Sequence, residues 1–234
     1  GTANVGTMRG RSGEVVDMAD RRCLDFCCLQ ETRWKSSGAR TIGKYKFFWS
    51  GCSEGKAGVG ILVKESWVDK VLEVKRINER IIVLRVRVGD SVLNLVSVYA
   101  PQVGRGMEEK EEFLISLGDA LSGVDASERL VVCGDLNGHV GSVKEGFDGV
   151  HGGFGYGARN IEGEMLLEFA DAMNLAVANT WFRKNDQKLV TFESGGCKTV
   201  VDYILVRKSE RNVLRNVTVM LGESCLLQHK LLVG

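Results

Sequence analysis

Short apolar runs rich in β-branched residues recur along the chain and alternate with segments of helical spacing. The runs predict strands, because Val, Ile and aromatic side chains fit the pleated surface of a sheet. The predicted strands are residues 26–30, 60–63, 81–88, 92–99, 130–134, 200–206 and 230–233, and Gly1 also falls within a run that resembles a strand.

Three segments show apolar residues at helical spacing, namely residues 13–22, 107–121 and 162–174. The last of these places Met165, Leu166, Phe169, Ala170 and Met173 on one face. Many strands with few helices predict an α/β fold in which two sheets pack on each other and helices flank them. No repeat or Pro/Ser-rich linker divides the chain, so residues 1–234 are interpreted as a single domain.

Composition excludes several classes of protein. Hydrophobic residues make up 44% of the 234 positions and charged residues 26%, with 29 glycines and one proline, which excludes disordered and collagen-like chains. The seven cysteines are scattered without a C-x-x-C pair, as expected of a reduced intracellular compartment. No apolar run approaches the roughly 18 residues of a membrane span. The chain starts and stops within strand-like runs, and we interpret it as a fragment truncated at both ends.

Charge is balanced overall at +1 but uneven along the chain. Residues 105–128 hold seven acidic and two basic residues, whereas residues 183–215 hold eight basic and four acidic ones. An anionic ligand would prefer the second segment. We therefore expect Lys184, Lys188 and Lys198 to flank the functional site; the alternative is that the two segments form solvated faces of opposite sign.

Polar residues stand where predicted strands end, at Asn4, Glu31, Asp135, Asn137 and Asp202. A carboxylate directly after an apolar run is partly desolvated, which is costly unless a cation or another partner compensates it. A hard cation with oxygen ligands is the natural partner. The alternative for each residue is a helix cap or a turn, and Asp135 with Asn137 could form only a turn.

The chain has three histidines. His139 and His151 lie in glycine-rich loops and are predicted to be at the surface, whereas His229 directly precedes an apolar strand and should be held rigidly. An aspartate beside a histidine fixes its tautomer and stabilises its charged form. We therefore predict that Asp202 lies within hydrogen-bond reach of His229.

Eight short motifs, taken in chain order, resemble those of the endonuclease/exonuclease/phosphatase superfamily. They are Asn4-Val5, Gln30-Glu31-Thr32-Arg33, Gly58-Val59-Gly60-Ile61, Tyr99-Ala100-Pro101, Gly134-Asp135-Leu136-Asn137, Thr191-Phe192, Val201-Asp202-Tyr203 and Gln228-His229. Longer phrases around Glu31, Asp135, His151 and His229 are similar to the apurinic-type endonuclease domain of RTE-type non-LTR retrotransposons and of craniofacial development protein 2-like proteins.

The resemblance implies a four-layered α/β sandwich of the deoxyribonuclease I type, with its site at one rim of the two sheets. It implies Mg²⁺, with Mn²⁺ as an alternative, on the metal ligands Asn4 and Glu31. The implied catalytic residues are Tyr99, Asp135, Asn137, Asp202 and His229. The implied substrate-binding residues are Arg33, Lys35, Asn160, Thr191 and Gln228.

Two positions depart from the superfamily pattern. Gln228 stands where many members have Asp, and Gly6 stands where the apurinic repair branch has Asp. Both departures remove negative charge, so the affinity for a cation is expected to fall.

The function implied is Mg²⁺-dependent nicking of DNA by a domain of retroelement origin, in the nucleus, with a fused reverse transcriptase as a further expected partner. Two alternatives stay open: a domesticated, catalytically weak domain that binds nucleic acid or protein, and a phosphoester phosphatase of the same fold.

Overall fold

The structure, a computed structural model, describes residues 1–234. Its strands are β1 (Thr2–Asn4), β2 (Phe26–Gln30), β3 (Ser37–Ile42), β4 (Tyr45–Ser50), β5 (Val59–Lys64), β6 (Val71–Asn78), β7 (Ile81–Val88), β8 (Ser91–Tyr99), β9 (Arg129–Asp135), β10 (Leu175–Val177), β11 (Phe192–Ser194), β12 (Cys197–Thr199), β13 (Asp202–Arg207), β14 (Thr218–Met220) and β15 (Leu231–Val233). Its α-helices are α1 (Ser12–Arg21), α2 (Glu65–Val68), α3 (Met107–Ser122), α4 (Ile161–Ala172) and α5 (Asp186–Leu189), and 3₁₀ turns cover Ala178–Trp181 and Lys208–Val213.

Two large mixed sheets form the centre of the molecule. The first has seven strands in the order β14-β15-β1-β2-β5-β4-β3, and the second has six in the order β10-β13-β9-β8-β7-β6. Strands β11 and β12 form a separate hairpin.

The inner faces of the two sheets pack against each other through alternate residues of each strand. Cys28 and Ile61 of the first sheet belong to the same buried cluster as Leu84 and Leu95 of the second. Because side chains alternate across a strand, Val96 points to the opposite face of its sheet from Leu95. Both faces of each central strand are therefore apolar, which explains the continuous apolar runs in the sequence.

Helices cover the outer faces of both sheets. Val15 and Met18 of α1 pack with Leu29 on the first sheet, and Phe113 of α3 and Leu166 of α4 pack on the second. The molecule thus has four layers, helix, sheet, sheet, helix, and the predicted fold class is confirmed.

Most predicted elements are present with small shifts at their ends. Strands at 26–30 and 81–88 agree with the structure, and the three predicted helices shift by up to two residues. The prediction omitted several strands, including β3, whose exposed, polar sequence forms a strand by pairing with β4 along its whole length. Edge strands of this kind are specified by pairing and not by their own hydrophobicity.

The topology brings the polar strand ends together at one rim. β1 runs parallel to β2 and β8 runs parallel to β9, so the ends of these strands meet at the same edge. β13 is antiparallel to β9, and its first residue, Asp202, pairs directly with Asp135. Residues at the ends of β1, β2, β8 and β9 and at the start of β13 therefore share one rim of the sandwich.

His151 is buried, contrary to its predicted position at the surface. The backbone N–H of Gly153 donates to its Nδ1 over 3.0 Å, and its Nε2 lies 3.1 Å from the carbonyl oxygen of Gly141. The imidazole thus links two glycine-rich stretches of the chain between β9 and α4. Burial lowers the pKa of His151 below its ordinary value of 6.5.

Acidification is expected to destabilise the wild type more than a His151→Asn variant. Because the pKa of folded His151 is lowered, its contribution to stability is present above pH 6.5 and is lost as pH falls below that value. Between pH 7 and pH 5, Tm should fall more in the wild type by a few degrees, since about 1 kcal/mol corresponds to roughly 2–4 °C in a domain of this size. Equal pH slopes for the two proteins, measured by thermal unfolding, would show that folded His151 takes up a proton as readily as it does in the unfolded chain.

Candidate active site

A cleft of about 820 Å³ opens at the rim where the strand ends meet. It is lined by residues from six loops, among them Asn4, Arg11, Glu31, Arg33, Gln102, Asp135, Asn137, His139, Phe192, Gln228 and His229. A second cavity of about 520 Å³ adjoins it and shares Glu31, Arg33 and Gln102. The two cavities form one continuous groove across the rim.

Asp135 lies at the base of the cleft and is buried. Asn4 Nδ2 donates to Asp135 Oδ2 over 2.9 Å, and the backbone N–H of Asn137 donates to Oδ1 over 3.1 Å. Gly134 before it has no room for a side chain, because a Cβ there would lie 1.9 Å from the carbonyl oxygen of Val98. Burial and repulsion by Asp202 raise the pKa of the Asp135 carboxyl.

His229 is held between two aspartates. Its Nδ1 donates to Asp202 Oδ2 over 2.9 Å, and its Nε2 lies 3.8 Å from Asp135 Oδ2. The ring of Phe192 packs edge-on against the imidazole, with centroids 4.8 Å apart. The predicted contact between Asp202 and His229 is confirmed.

The charged form of His229 is favoured at neutral pH. Burial lowers the pKa of the imidazole, but attraction to Asp202 and Asp135 outweighs burial and raises the pKa to about 9. His229 is therefore a cation with an Nε2–H donor beside the cleft.

Glu31 stands at the mouth of the cleft, directly after β2, with a left-handed φ of 56°. The residue before it, Gln30, is buried and donates from Nε2 to Ser97 Oγ of the facing sheet over 3.2 Å. The carboxylate of Glu31 pairs with the guanidinium of Arg33, whose Nε lies 3.2 Å from Oε1 and whose second nitrogen also contacts that oxygen. Glu31 is thus fixed by its backbone and paired through its side chain.

Tyr99 contributes to the second cavity. Its side chain is largely buried, and burial, followed by the negative charges of Glu31 and Asp135, raises the pKa of the phenol. The guanidinium of Arg80 lies 5.4 Å from the ring centroid. Tyr99 is therefore a protonated hydroxyl close to the metal-ligand candidate and to Asp135.

The predicted substrate-binding residues divide into two groups. Arg33 and Gln228 line the cleft, whereas Lys35, Asn160 and Thr191 line neither cavity. Asn160 caps α4 by accepting from the N–H of Gly163 and also accepts from the N–H of His139. Thr191 Oγ1 accepts from the N–H groups of Val201 and Asp202, both over 3.1 Å.

These hydrogen bonds orient neighbouring residues inside the protein, and the predicted role of Asn160 and Thr191 in substrate binding stays a prediction. Lys35 is exposed outside the two cavities. Asn137 lines the cleft as predicted, but its Nδ2 donates to the carbonyl oxygen of Ala100 over 2.9 Å. That bond fixes the loop after β8 to the loop after β9.

The basic segment 183–215 does not supply the cations of the groove. None of its eight basic residues lines either cavity; Lys184 contacts Asn216, and Lys198 pairs with Glu193. The cations that do line the groove come from other parts of the chain: Arg11, Arg33, Lys56, Arg80 and Arg105. The sequence offered no signal for them, since they are spread over almost a hundred residues.

The residues present suit a hard divalent cation. Ligand atoms of Asp135, Asp202 and His229 lie within 4.8 Å of one another. Asp202 Oδ1 is buried and has no hydrogen-bond partner, whereas Oδ2 of the same side chain is bonded to His229. Glu31 and Asn4 also line this cleft and are residue types with side-chain oxygen atoms, and oxygen donors select Mg²⁺ or Mn²⁺ over softer metals.

The family follows from a direct match. A model of the Endonuclease/Exonuclease/phosphatase family matches residues 1–223. The chain belongs to this family. Family members are typically dependent on divalent metals, in agreement with the oxygen donors of the cleft.

Several known proteins and solved structures are similar to this chain over nearly its whole length. Craniofacial development protein 2 of Tragulus javanicus is 28% identical over 238 aligned positions, which cover 100% of this chain and 41% of that protein. The endonuclease domain of TRAS1, a telomere-specific non-LTR retrotransposon, has a TM-score of 0.71 at 17% identity and covers 98% of this chain and 93% of its own. An AP endonuclease from Archaeoglobus fulgidus has a TM-score of 0.72 at 18% identity, and the match covers 99% of this chain and 96% of that one.

These similarities confirm the resemblance seen in the motifs. The chain spans about two-fifths of the length of the curated relatives that it matches. None of its helices combines the length and apolar character needed to cross a bilayer.

Proposed function

We propose that this chain is a divalent-metal-dependent phosphodiesterase domain that nicks DNA. The observation that carries the proposal is the array at the base of the cleft, where His229 is bonded to Asp202 and faces Asp135. Such an array places a proton donor and a proton acceptor side by side in a cleft that a phosphate can enter.

Asp135 is the general base in this proposal. Its carboxylate is held by Asn4 and by the backbone of Asn137, so its orientation is fixed before substrate binds. Its raised pKa brings it closer to the pH at which it must accept a proton from the attacking water, which favours general-base catalysis.

His229 stabilises the charge that develops on the phosphate. With Nδ1 bonded to Asp202, the imidazole presents Nε2–H to a phosphate oxygen, and its positive charge offsets the added negative charge of the transition state. Tyr99 supplies a second donor, its phenol hydroxyl, from the adjoining cavity.

Glu31 and Asn4 would hold the cation, since His229 is already bonded to Asp202 and is needed as a donor. A bound Mg²⁺ or Mn²⁺ would supply Lewis-acid polarisation of a phosphate oxygen. This assignment leaves Asp135 to accept the proton of the attacking water. It leaves His229, oriented by Asp202, to donate to the phosphate.

The extent of the groove favours a polymer over a small phosphoester. Five cations line two joined cavities of about 820 and 520 Å³, and sequence-independent DNA binding relies on repeated phosphate contacts. The proposal further includes retroelement descent, for which the support is the similarity to a retrotransposon endonuclease. It also includes a nuclear location and a reverse transcriptase in the full polypeptide.

A plasmid-nicking assay tests the proposal. Supercoiled DNA should be nicked with Mg²⁺ and not with EDTA, and Glu31→Ala should lose nicking at limiting Mg²⁺ while its circular dichroism spectrum stays unchanged, because Glu31 is a partly exposed residue outside the core. DNA binding without nicking would favour the catalytically weak binding domain. Hydrolysis of a small phosphomonoester alone would favour the phosphatase.

Neutralising Lys56, Arg80 and Arg105 together to glutamine should weaken DNA binding and flatten its salt dependence. If each contacts one phosphate, the slope of log K against log salt should fall by about 2 to 3, since each contact contributes roughly 0.9. The matched control is Lys184, Lys188 and Lys198 changed to glutamine, because these three residues line neither cavity. A larger effect in the control than in the groove variant would place the DNA elsewhere.

A further inference from the structure

The ion pair between Glu31 and Arg33 stands at the junction of the two cavities. Both residues line both cavities. Two nitrogens of the Arg33 guanidinium, Nε and Nη2, contact Oε1 of Glu31. The side chain of Glu31 is 17% exposed and that of Arg33 is 47% exposed. The guanidinium therefore covers the carboxylate from the open side of the groove.

The backbone beneath the pair is fixed. Glu31 and Arg33 both have left-handed φ values, 56° and 53°. The N–H of Arg33 donates to the carbonyl oxygen of Ala57 over 2.8 Å, and Arg9 Nε donates to the carbonyl oxygen of Arg33 over 2.7 Å. The backbone of Arg33 is thus held by hydrogen bonds, whereas its side chain is exposed and lines both cavities.

We propose that Arg33 is an exchangeable counter-ion of Glu31, which a divalent cation displaces and which then binds a phosphate of the nucleic acid. This inference rests on the proposed function, because it takes Glu31 as the metal ligand. The physical reason is that a guanidinium and a divalent cation on one carboxylate repel each other, whereas a released guanidinium can form two parallel hydrogen bonds to a phosphate.

Displacement would couple the two binding events. A cation on Glu31 frees Arg33 for phosphate, and phosphate on Arg33 frees Glu31 for the cation, so each ligand should strengthen the other by the same factor. The groove would thus bind metal tightly only together with its polymer substrate.

The test measures Mn²⁺ binding by the loss of the free-ion signal in electron paramagnetic resonance, with the whole chain and no DNA. Arg33→Gln should bind Mn²⁺ about three- to tenfold more tightly than the wild type, because the competing charge is gone. Arg33→Lys keeps the charge and should stay within about twofold of the wild type. Lys35→Gln is the matched control for the loss of one positive charge nearby, since Lys35 lies outside both cavities.

A second measurement uses a short phosphorothioate duplex as the probe. Saturating Mn²⁺ should strengthen duplex binding in the wild type and in Lys35→Gln by a larger factor than in Arg33→Gln. If Mn²⁺ strengthens duplex binding by the same factor in all three proteins, Arg33 does not couple the two ligands.

The variants separate failure of this inference from failure of the proposed function. If Glu31→Gln abolishes Mn²⁺ binding and Arg33→Gln leaves it unchanged or weakens it, the exchange is wrong and the metal assignment stands. If Glu31→Gln leaves Mn²⁺ binding unchanged, the metal assignment fails and the exchange fails with it.

Discussion

Replacing His229 with glutamine is expected to lower Mg²⁺-dependent nicking at neutral pH by about 10³-fold, within the range of losses for a charged donor at a reacting centre. Glutamine retains an N–H donor but loses the positive charge that Asp202 and Asp135 maintain on the imidazole. The rate should therefore fall while the affinity for DNA changes little, because one of several phosphate contacts is weakened. Single-turnover nicking and duplex binding measure the two effects separately.

His139→Gln is the matched control for this experiment. His139 lines the same cleft but makes no hydrogen bond or ion pair to Asp135 or Asp202. Its nicking rate should stay within about threefold of the wild type, as for a substitution that removes no transition-state contact. Equal losses for both histidines would mean that the cleft as a whole, and not the charged donor, was damaged.

Asp202→Asn is expected to reduce nicking by about 10²-fold or more at pH 8 and to shift the alkaline limb of the pH profile to lower pH. Burial lowers the pKa of His229, and the negative charge of Asp202 is the main influence that raises it to about 9. In the wild type, activity that needs charged His229 is present at neutral pH and is lost as pH rises through about 9. Without the charge of Asp202, that loss begins at lower pH, so the defect is greater at pH 8 than at pH 6.

Asp90→Asn serves as the control, since Asp90 is an exposed turn residue directly before β8, at the opposite end of that strand from the rim. It removes the same charge and should leave the profile unchanged. A parallel loss of activity at every pH in Asp202→Asn would assign Asp202 a purely structural role.

The structure shows what Gln228 and Gly6, the two departures from the superfamily pattern, do in this protein. Gln228 Nε2 donates to Ser194 Oγ over 2.9 Å, which joins the loop before β15 to the β11–β12 hairpin. Gly6 has a φ of 65°, and its N–H donates to Asn4 Oδ1 over 2.9 Å. That bond turns the Asn4 amide so that its Nδ2 faces Asp135. Both positions thus organise the cleft without adding charge.

The sequence by itself determined the layers of the fold and the residues at the base of the cleft. Central strands such as β7 and β8 are apolar on both faces, so their burial is visible in a short run of residues. Asn4, Asp135, Asp202 and His229 were identifiable because polar residues directly beside such runs have no packing role and stand out from the pattern.

Only the tertiary structure decided which polar residues face the groove and which are used internally. Thr191 and Asn160 satisfy backbone N–H groups, His151 joins two loops inside the protein, and the lysines of segment 183–215 lie outside both cavities. Arg33 covers Glu31, and the cations of the groove come from loops distant in sequence. Sequence spacing cannot predict these outcomes, because hydrogen-bond partners and groove walls are set by how loops from different strands meet in space, whereas a hydrophobic pattern records only the burial of its own segment.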